Sequence, residues 1–324
     1  GLSALAGSLV AFSANAVELT VSGTAEVTYS TITSTGTAQV NSGNPMGSNT
    51  SLKFNGSGDV GFGTATIRRT INDGMSAYLS AWQTLDMGSL GTVSFDAIGG
   101  ELAGLTPNDD LLPTAYEEIW NGVSSSGVSG ASSNDTLGYA NSYGPVSFSV
   151  AHTRGGTAGS SDGNVAAETG NSITDMAVSI DGSMLLDGLT IAAATSTEDG
   201  LNNATDTTNN VGHVLYSTGP VSVGYRLAES QPGSGKTVQT GKNIEAYSIA
   251  FAVNDNLSLS FGEQETEYDV ASSASNVTEE VTALNASYTI GAASIRTTLS
   301  ESANDAGVLA NDVEMMEVSL VLAF

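Results

Sequence analysis

VELTVSGTAEVTYSTI, residues 17–32, places an apolar or alanine side chain on nearly every second position and mostly polar side chains between them. Leu19, Val21, Val27 and Tyr29 share one parity, whereas Glu26 and several threonines and serines share the other. Successive side chains of a β-strand point to opposite faces, so a period of two predicts a strand with two unlike faces. The same pattern recurs to the end of the chain.

About sixteen segments carry this alternation, which predicts an all-β protein. The predicted strands cover residues 18–32, 50–58, 60–70, 75–85, 91–98, 134–142, 145–154, 171–181, 188–197, 209–218, 220–229, 242–253, 256–267, 278–290, 292–301 and 312–324. Near residues 70–74 the connection is only a few residues long, so the register of the third strand is open to a shift of one residue.

The connections between these strands alternate between short and long. The short ones are 57–59, 87–89, 143–145, 218–220, 254–256 and 290–292, and the long ones are 33–49, 99–133, 155–170, 198–208, 230–241, 268–277 and 302–311. Such alternation puts all short turns at one rim of a sheet and all long loops at the other, which is typical of outer-membrane barrels.

The polar faces of the strands decide between a soluble sandwich and a membrane barrel. They consist mainly of small Ser, Thr, Gly and Asn side chains, with few of the charged residues that a solvated outer surface carries. Small polar residues suit a water-filled lumen, and the apolar rows then face lipid. We therefore expect residues 17–324 to form a single transmembrane antiparallel β-barrel.

The charge and the cysteine count exclude several functions. The 324 residues include 34 acidic and 8 basic side chains, for a net charge of −26, and no cysteine. Nucleic acids and anionic membrane surfaces require a cationic face, so neither is expected as a partner. Without cysteine there is no disulfide, thiol nucleophile or Cys-based metal site.

Residues 1–16 contain a short apolar stretch that ends in Ala14-Asn15-Ala16. Small residues in this spacing are typical of a secretory cleavage site. We expect this segment to be the remainder of a signal peptide, with the mature chain starting at Val17; the alternative is a short buried helix. A membrane helix needs about 20 apolar residues, and no run in the chain is that long.

The connection GGELAGLTPNDDLLPTAYEEIWNGVSSSGVSGASS, residues 99–133, is far longer than most loops and is not composed like a disordered linker. Its apolar residues need something to pack against; they are Leu102, Leu105, Leu111, Leu112, Tyr116, Ile119 and Trp120. Its carboxylates are Glu101, Asp109, Asp110, Glu117 and Glu118. We predict that this segment folds inward and narrows the lumen, and that Asp109 and Asp110 are candidates for Ca²⁺ binding through carboxylate oxygens.

The sequence gives little support to an enzymatic function. His152 and His213 are the only histidines, and no nucleophile elbow or phosphate loop is present. Paired acids such as Glu117-Glu118 are compatible with a glycosidase but also with a solvated run of charges. We therefore predict that the chain is not an enzyme.

Together, these features resemble the general porins of Gram-negative bacteria, and the alphaproteobacterial type most closely. The resemblance is carried by the Ala-x-Ala site, the first strand from residue 17, the insert after the fifth strand and the final segment VSLVLAF, residues 318–324. It implies a sixteen-stranded barrel in the outer membrane, usually a homotrimer, whose third loop enters the pore. It also implies that the last strand, ending in Phe324, is the signal for the barrel-assembly machinery.

In porins, acidic groups on that loop face basic groups on the wall. Parity predicts Lys53, Arg68, Arg226 and Arg296 as inward bases, with Arg69 replacing Arg68 if the third strand slips by one residue. The expected function is passive diffusion of small hydrophilic solutes, with a preference for cations and no cofactor apart from the candidate Ca²⁺.

Two alternatives remain at this stage. The first is a substrate-specific channel, in which Tyr78 and Trp82 on the lumen parity, together with Trp120, form an aromatic path for sugars. The second is a secreted structural or adhesive β-solenoid, which requires a repeat of about 20–50 residues that the sequence does not display.

Overall fold

The computed structural model describes residues 18–36, 41–72, 78–123, 127–131, 135–155, 171–200, 205–233, 241–269 and 276–324. Over these residues, sixteen strands form one closed antiparallel barrel in which β1 pairs with β16. The strands are β1 (Glu18–Ser34), β2 (Met46–Asp59), β3 (Thr64–Asn72), β4 (Tyr78–Asp86), β5 (Thr92–Ile98), β6 (Thr136–Tyr143), β7 (Val146–Thr153), β8 (Ile173–Asp181), β9 (Leu189–Glu198), β10 (Thr207–Thr218), β11 (Val221–Gln231), β12 (Lys242–Ala252), β13 (Leu257–Tyr268), β14 (Val277–Ile290), β15 (Ala293–Ala303) and β16 (Val313–Ala323).

Helical structure in the described residues is limited to three short 3₁₀ turns at Gly88–Leu90, Thr106–Asn108 and Asp305–Gly307. None of the described helices is long and apolar enough to cross a membrane.

The apolar rows point outward and the small polar rows point inward. On β1, Leu19 and Val21 are 67% and 58% exposed, whereas Ser319 on the neighbouring strand is fully buried on the inner side. Outward Ile249 and Phe261 are paired across β12 and β13 and are likewise exposed. The predicted fold class, an all-β antiparallel barrel of sixteen strands, is confirmed.

Strand boundaries differ from prediction chiefly at the first short turn. The sequence placed a turn at residues 57–59, but these residues belong to β2, and the chain turns at Val60–Gly63, where the Val60 N–H donates to the Gly63 carbonyl. Gly61 has a positive φ, which glycine adopts readily, and this favours a tight turn of the chain at this site. The predicted uncertainty near residue 70 coincides with a bulge between Thr70 and Ile71.

The barrel closes between its first and last strands. The backbone N–H of Gly23 donates to the Phe324 carbonyl at 2.8 Å, and the Phe324 N–H donates back to Gly23 at 3.0 Å. A Cβ on Gly23 would lie 2.7 Å from the Phe324 ring, so the absence of a side chain at Gly23 gives the ring its place. The predicted signal peptide, residues 1–16, lies outside the described residues.

Candidate functional site

Residues 99–133 are here called the inner loop. Its described parts, 99–123 and 127–131, lie against the inner wall of the barrel. Inward side chains of the wall bond to the backbone of the loop. These pairs are Ser149 with Gly104, Asp175 with Leu105 and Ala131, Asn209 with Ser129, His213 with Leu111, Ser248 with Pro113, Ser260 with Ala115, and Asn285 with Glu117. A loop with only one short 3₁₀ turn in its described residues thus finds partners for its backbone groups in wall side chains.

Apolar residues of the inner loop are buried against small residues of the wall. Leu105 and Ile119 are 0% and 1% exposed, and each belongs to a cluster with inward alanines. A Cβ on Gly262 would lie 2.6 Å from the Ile119 side chain, and one on Gly224 would lie 2.6 Å from Pro113. The small residues on the inner face of the wall therefore provide the room in which the loop packs.

Asp109 and Arg226 form an ion pair under the loop. The Arg226 Nη2 donates to Asp109 Oδ1 at 2.8 Å, and the fully buried Arg226 side chain also donates to Gln264. The Arg226 guanidinium lies 4.9 Å from the centre of the Trp120 ring. A second wall cation, Lys242, donates from Nζ to the Gly127 carbonyl at 2.7 Å. Both bases are therefore bonded to the loop.

Tyr116 connects the loop to β1 and β16, the strands that close the barrel. Its hydroxyl donates to Glu317 Oε1 at 2.7 Å and lies 3.4 Å from Glu26 Oε1. The Arg296 guanidinium lies 5.6 Å from the Tyr116 ring centre, and Ser30 donates to the other Glu317 oxygen at 2.9 Å. The wall at this point is therefore both acidic and basic.

Burial changes the acidity of the loop carboxylates. It raises the pKa of Asp110 to about 6 and also raises the pKa of Asp109, although the neighbouring Arg226 opposes the latter. Burial raises the pKa of Glu117, although the hydrogen bond with Tyr116 opposes this shift. Glu101 and Glu118 are exposed.

The predicted bases occupy different surroundings. Arg68 lies on the inward parity of β3, where its Nε donates to Asn55 at 2.7 Å and its guanidinium lies 4.8 Å from the Trp82 ring centre. Lys53 has the same inward parity on β2, where it lies opposite Thr70. The third strand has not slipped, because Ile67 is exposed on the outside and Arg69 shares its parity. The side chain of Tyr78 lies outside the described part of the structure.

The carboxylates proposed for Ca²⁺ already have partners. Asp109 is bonded to Arg226 and to the Val128 N–H, and Asp110 Oδ1 accepts the Leu112 N–H at 2.9 Å. Within the described residues, no group of three or more His, Cys, Asp or Glu side chains is arranged to hold a metal ion. Calcium binding at this pair stays a prediction.

Several residues of this site escaped sequence reasoning. Glu26 and Glu317 lie on the polar parity of β1 and β16, but nothing in the sequence indicated that Tyr116 would reach them. Asp96, Asp175, His213 and Lys242 were missed because an inward polar residue looks like any other lumen residue until the covering segment is known.

The comparisons with protein-family models and with curated proteins gave no match. Solved structures do match: a porin refined at 1.8 Å resolution has a TM-score of 0.66 at 14% identity, covering 95% of this chain and all of that one. The chain has the porin fold. Salmonella typhi OmpF, in a complex with daunomycin, has a TM-score of 0.67 at 12% identity, covering 95% of this chain and 98% of its own. A triple mutant of the Rhodopseudomonas blastica porin has a TM-score of 0.61 at 14% identity, covering 95% of this chain and all of its own.

Proposed function

We propose that this porin-fold chain is a passive diffusion channel for small hydrophilic solutes in the outer membrane of a Gram-negative bacterium, of the alphaproteobacterial type. The observation that carries the proposal is the combination of outward apolar rows with a polar inner wall on which a long loop is docked. A sixteen-stranded barrel is too wide for its own side chains to fill, so an aqueous passage remains beside such a loop.

The outer surface supports this membrane placement. Outward Phe251 and Tyr288 lie near the short turns, where amphipathic rings settle at a membrane interface. Toward the long loops, the outward positions of β12–β14 carry Glu245, Glu265 and Glu280 side by side. Carboxylates avoid hydrocarbon, so this row marks the other limit of the apolar band.

The passage runs between the inner loop and the wall of β2–β4. In the part of the loop that the structure describes, every wall strand that bonds to the loop backbone belongs to β5–β14, and we infer that Lys53 and Arg68 face the open side. We infer that Glu101, Asp110, Glu117 and Glu118 of the loop line the other side of this passage. Since Arg226 and Lys242 are engaged in holding the loop, acids outnumber free bases here, and we infer a preference for cations.

An outward arginine favours a homotrimer. Arg69 Nη1 donates to the backbone carbonyls of Arg68 at 2.7 Å and Trp82 at 3.2 Å. An arginine on a lipid-facing strand costs about 2–4 kcal/mol near the bilayer midplane, so contact with a second copy would relieve this face. A native mass of three chains in mild detergent supports the trimer; a single-chain mass in every detergent contradicts it.

The terminal strand is the proposed signal for the barrel-assembly machinery. Phe324 pairs with Gly23 in the closed barrel, so its recognition would precede closure. Phe324→Ser is expected to lower the yield of assembled barrel in cells while the purified variant still folds in detergent. An unchanged yield would contradict this role.

Liposome swelling with uncharged solutes of graded size tests the channel function. Passive diffusion predicts rates that fall smoothly with solute size and rise linearly with concentration. The alternative, a sugar-specific channel, is favoured by inward Trp82, whose ring stacks beneath Arg68. Saturating flux for one sugar, lost in Trp82→Ala, would favour that alternative.

A further inference from the structure

Asp175 on β8 occupies an unusual position under the inner loop. Its side chain is fully buried, and its Oδ2 accepts two backbone N–H groups, from Leu105 at 3.0 Å and from Ala131 at 2.7 Å. Leu105 belongs to the limb of the loop that leaves β5, and Ala131 to the limb that returns toward β6. One carboxylate oxygen therefore joins the two limbs at the base of the loop.

The sequence of both limbs is adapted to this contact. Each amide that Asp175 binds follows a glycine, Gly104 in the first limb and Gly130 in the second. A Cβ on Gly104 would lie 2.5 Å from the Asp175 Cβ, and one on Gly130 would lie 2.4 Å from Asp175 Oδ2. Only residues without a Cβ allow both limbs to approach so closely.

The second carboxylate oxygen of Asp175 indicates which side chains could replace the aspartate at position 175. Within the described residues, Asp175 Oδ1 has no hydrogen-bond partner, and neither has Oγ of Ser196, the residue directly opposite on β9. Side chains at such paired positions are close enough to bond. An asparagine at position 175 would retain an acceptor for both amides and could donate to Ser196.

We propose that Asp175 is the positioning residue of the inner loop: it fixes both limbs at their base and thereby sets how far the loop extends across the lumen. The contacts at Arg226 and Tyr116 involve the part of the loop that lies between the two limbs. When the hydrogen bonds to Asp175 are lost, the loop is therefore held only at its far side. The prediction that a loosened loop changes transport rests on the proposed channel function. The prediction that Asp175 fixes both limbs does not.

Two measurements separate the clamp from the channel. Hydrogen exchange of the Leu105 and Ala131 amides, in the folded barrel in detergent, reports the clamp alone. Single-channel recording in a planar bilayer reports its effect on conductance. Losing a hydrogen bond to a carboxylate should increase the open population at least about tenfold, and exchange at both amides should accelerate by that factor.

The variants are Asp175→Leu, which removes the acceptor, and Gly130→Ala, which keeps the carboxylate but inserts a Cβ against it. Both are expected to accelerate exchange at Leu105 and Ala131 and to add frequent excursions to the open-channel current. Asp175→Asn should restore native exchange, since it keeps the acceptor. Asp181→Leu is the matched control, because Asp181 lies on the same strand and, among the described residues, its carboxylate bonds only to Ser183.

Native exchange in both Asp175→Leu and Gly130→Ala would overturn the clamp, as would an Asp175→Asn variant as loose as Asp175→Leu. If Asp175→Leu does not fold, the Gly130→Ala and Asp175→Asn pair decides alone. Accelerated exchange with unchanged current would keep the clamp and overturn its control of the passage. Absence of current in the wild type would instead contradict the proposed function and leave the exchange result standing.

Discussion

Arg226 illustrates how a residue that sequence places in a water-filled lumen becomes part of a packed interior. Parity predicted its direction correctly, but the inner loop covers it, and its charge is balanced by Asp109 and the face of Trp120. The sequence contains no signal for this pairing, because the partners are separated by 117 positions and belong to segments of different character.

Removing either partner of this ion pair leaves an uncompensated charge. Arg226→Met and Asp109→Leu should each lower the free energy of unfolding by about 3–5 kcal/mol, as expected when one member of a buried pair is lost. The double variant should lose less than the sum of the two. Guanidinium unfolding of the barrel in lipid vesicles measures all three; strictly additive losses would show that the two residues do not interact.

If the proposed channel function holds, Asp110 should make transport depend on pH. Its pKa of about 6 in the folded chain exceeds the usual value, so docking of the loop is favoured when Asp110 is protonated and weakens as pH rises through about 6. Ionisation also adds negative charge beside the passage. The ratio of cation to anion permeability should therefore rise between about pH 5 and pH 7.

Asp110→Asn provides the control for this titration. Asparagine keeps the acceptor for the Leu112 N–H but cannot ionise, so the permeability ratio of the variant should stay flat over the same pH range. Reversal potentials in a salt gradient measure both proteins. A variant that titrates like the wild type would assign the effect to another carboxylate.

At the level of elements, alternation was enough to predict the strands, because a barrel in lipid exposes one complete face to hydrocarbon and the other to water. Turn positions were less well determined. The turn at Val60–Gly63 was misplaced by a few residues because 57–59 has the same kind of turn-forming composition. Of the inner loop, sequence predicted the direction and the acids, but not the wall residues Asp96, Asp175 and Lys242 that hold it.

Deleting residues 102–120 should raise the single-channel conductance markedly, because we propose that this part of the inner loop, which is held to the wall at Leu105 and Tyr116, narrows the lumen. The strands should remain paired, since none of them includes the deleted residues. Heat-modifiable migration on gels verifies that the variant folds. Conductance equal to that of the wild type in a folded variant would place the loop outside the path of ions.

For the molecule as a whole, the orientation of the two faces can be tested with one pair of neighbours on β12. Ile249 points outward and is 45% exposed, whereas Ala250 points toward the lumen. Ile249→Arg should cost about 2–4 kcal/mol of folding free energy in a bilayer, whereas Ala250→Arg should fold nearly normally and reduce cation flux. Equal losses for both variants would contradict the lipid-facing assignment.

The central claim is that the folded barrel holds an open aqueous passage beside its inner loop, with an excess of acidic groups along it. Its most direct test is to add the purified protein to a planar bilayer under a salt gradient. The account predicts stepwise, ohmic current increments and a reversal potential of the sign that marks cation preference. A correctly folded barrel that gives no current steps would contradict the claim, and a reversal potential of the opposite sign would contradict the charge assignment.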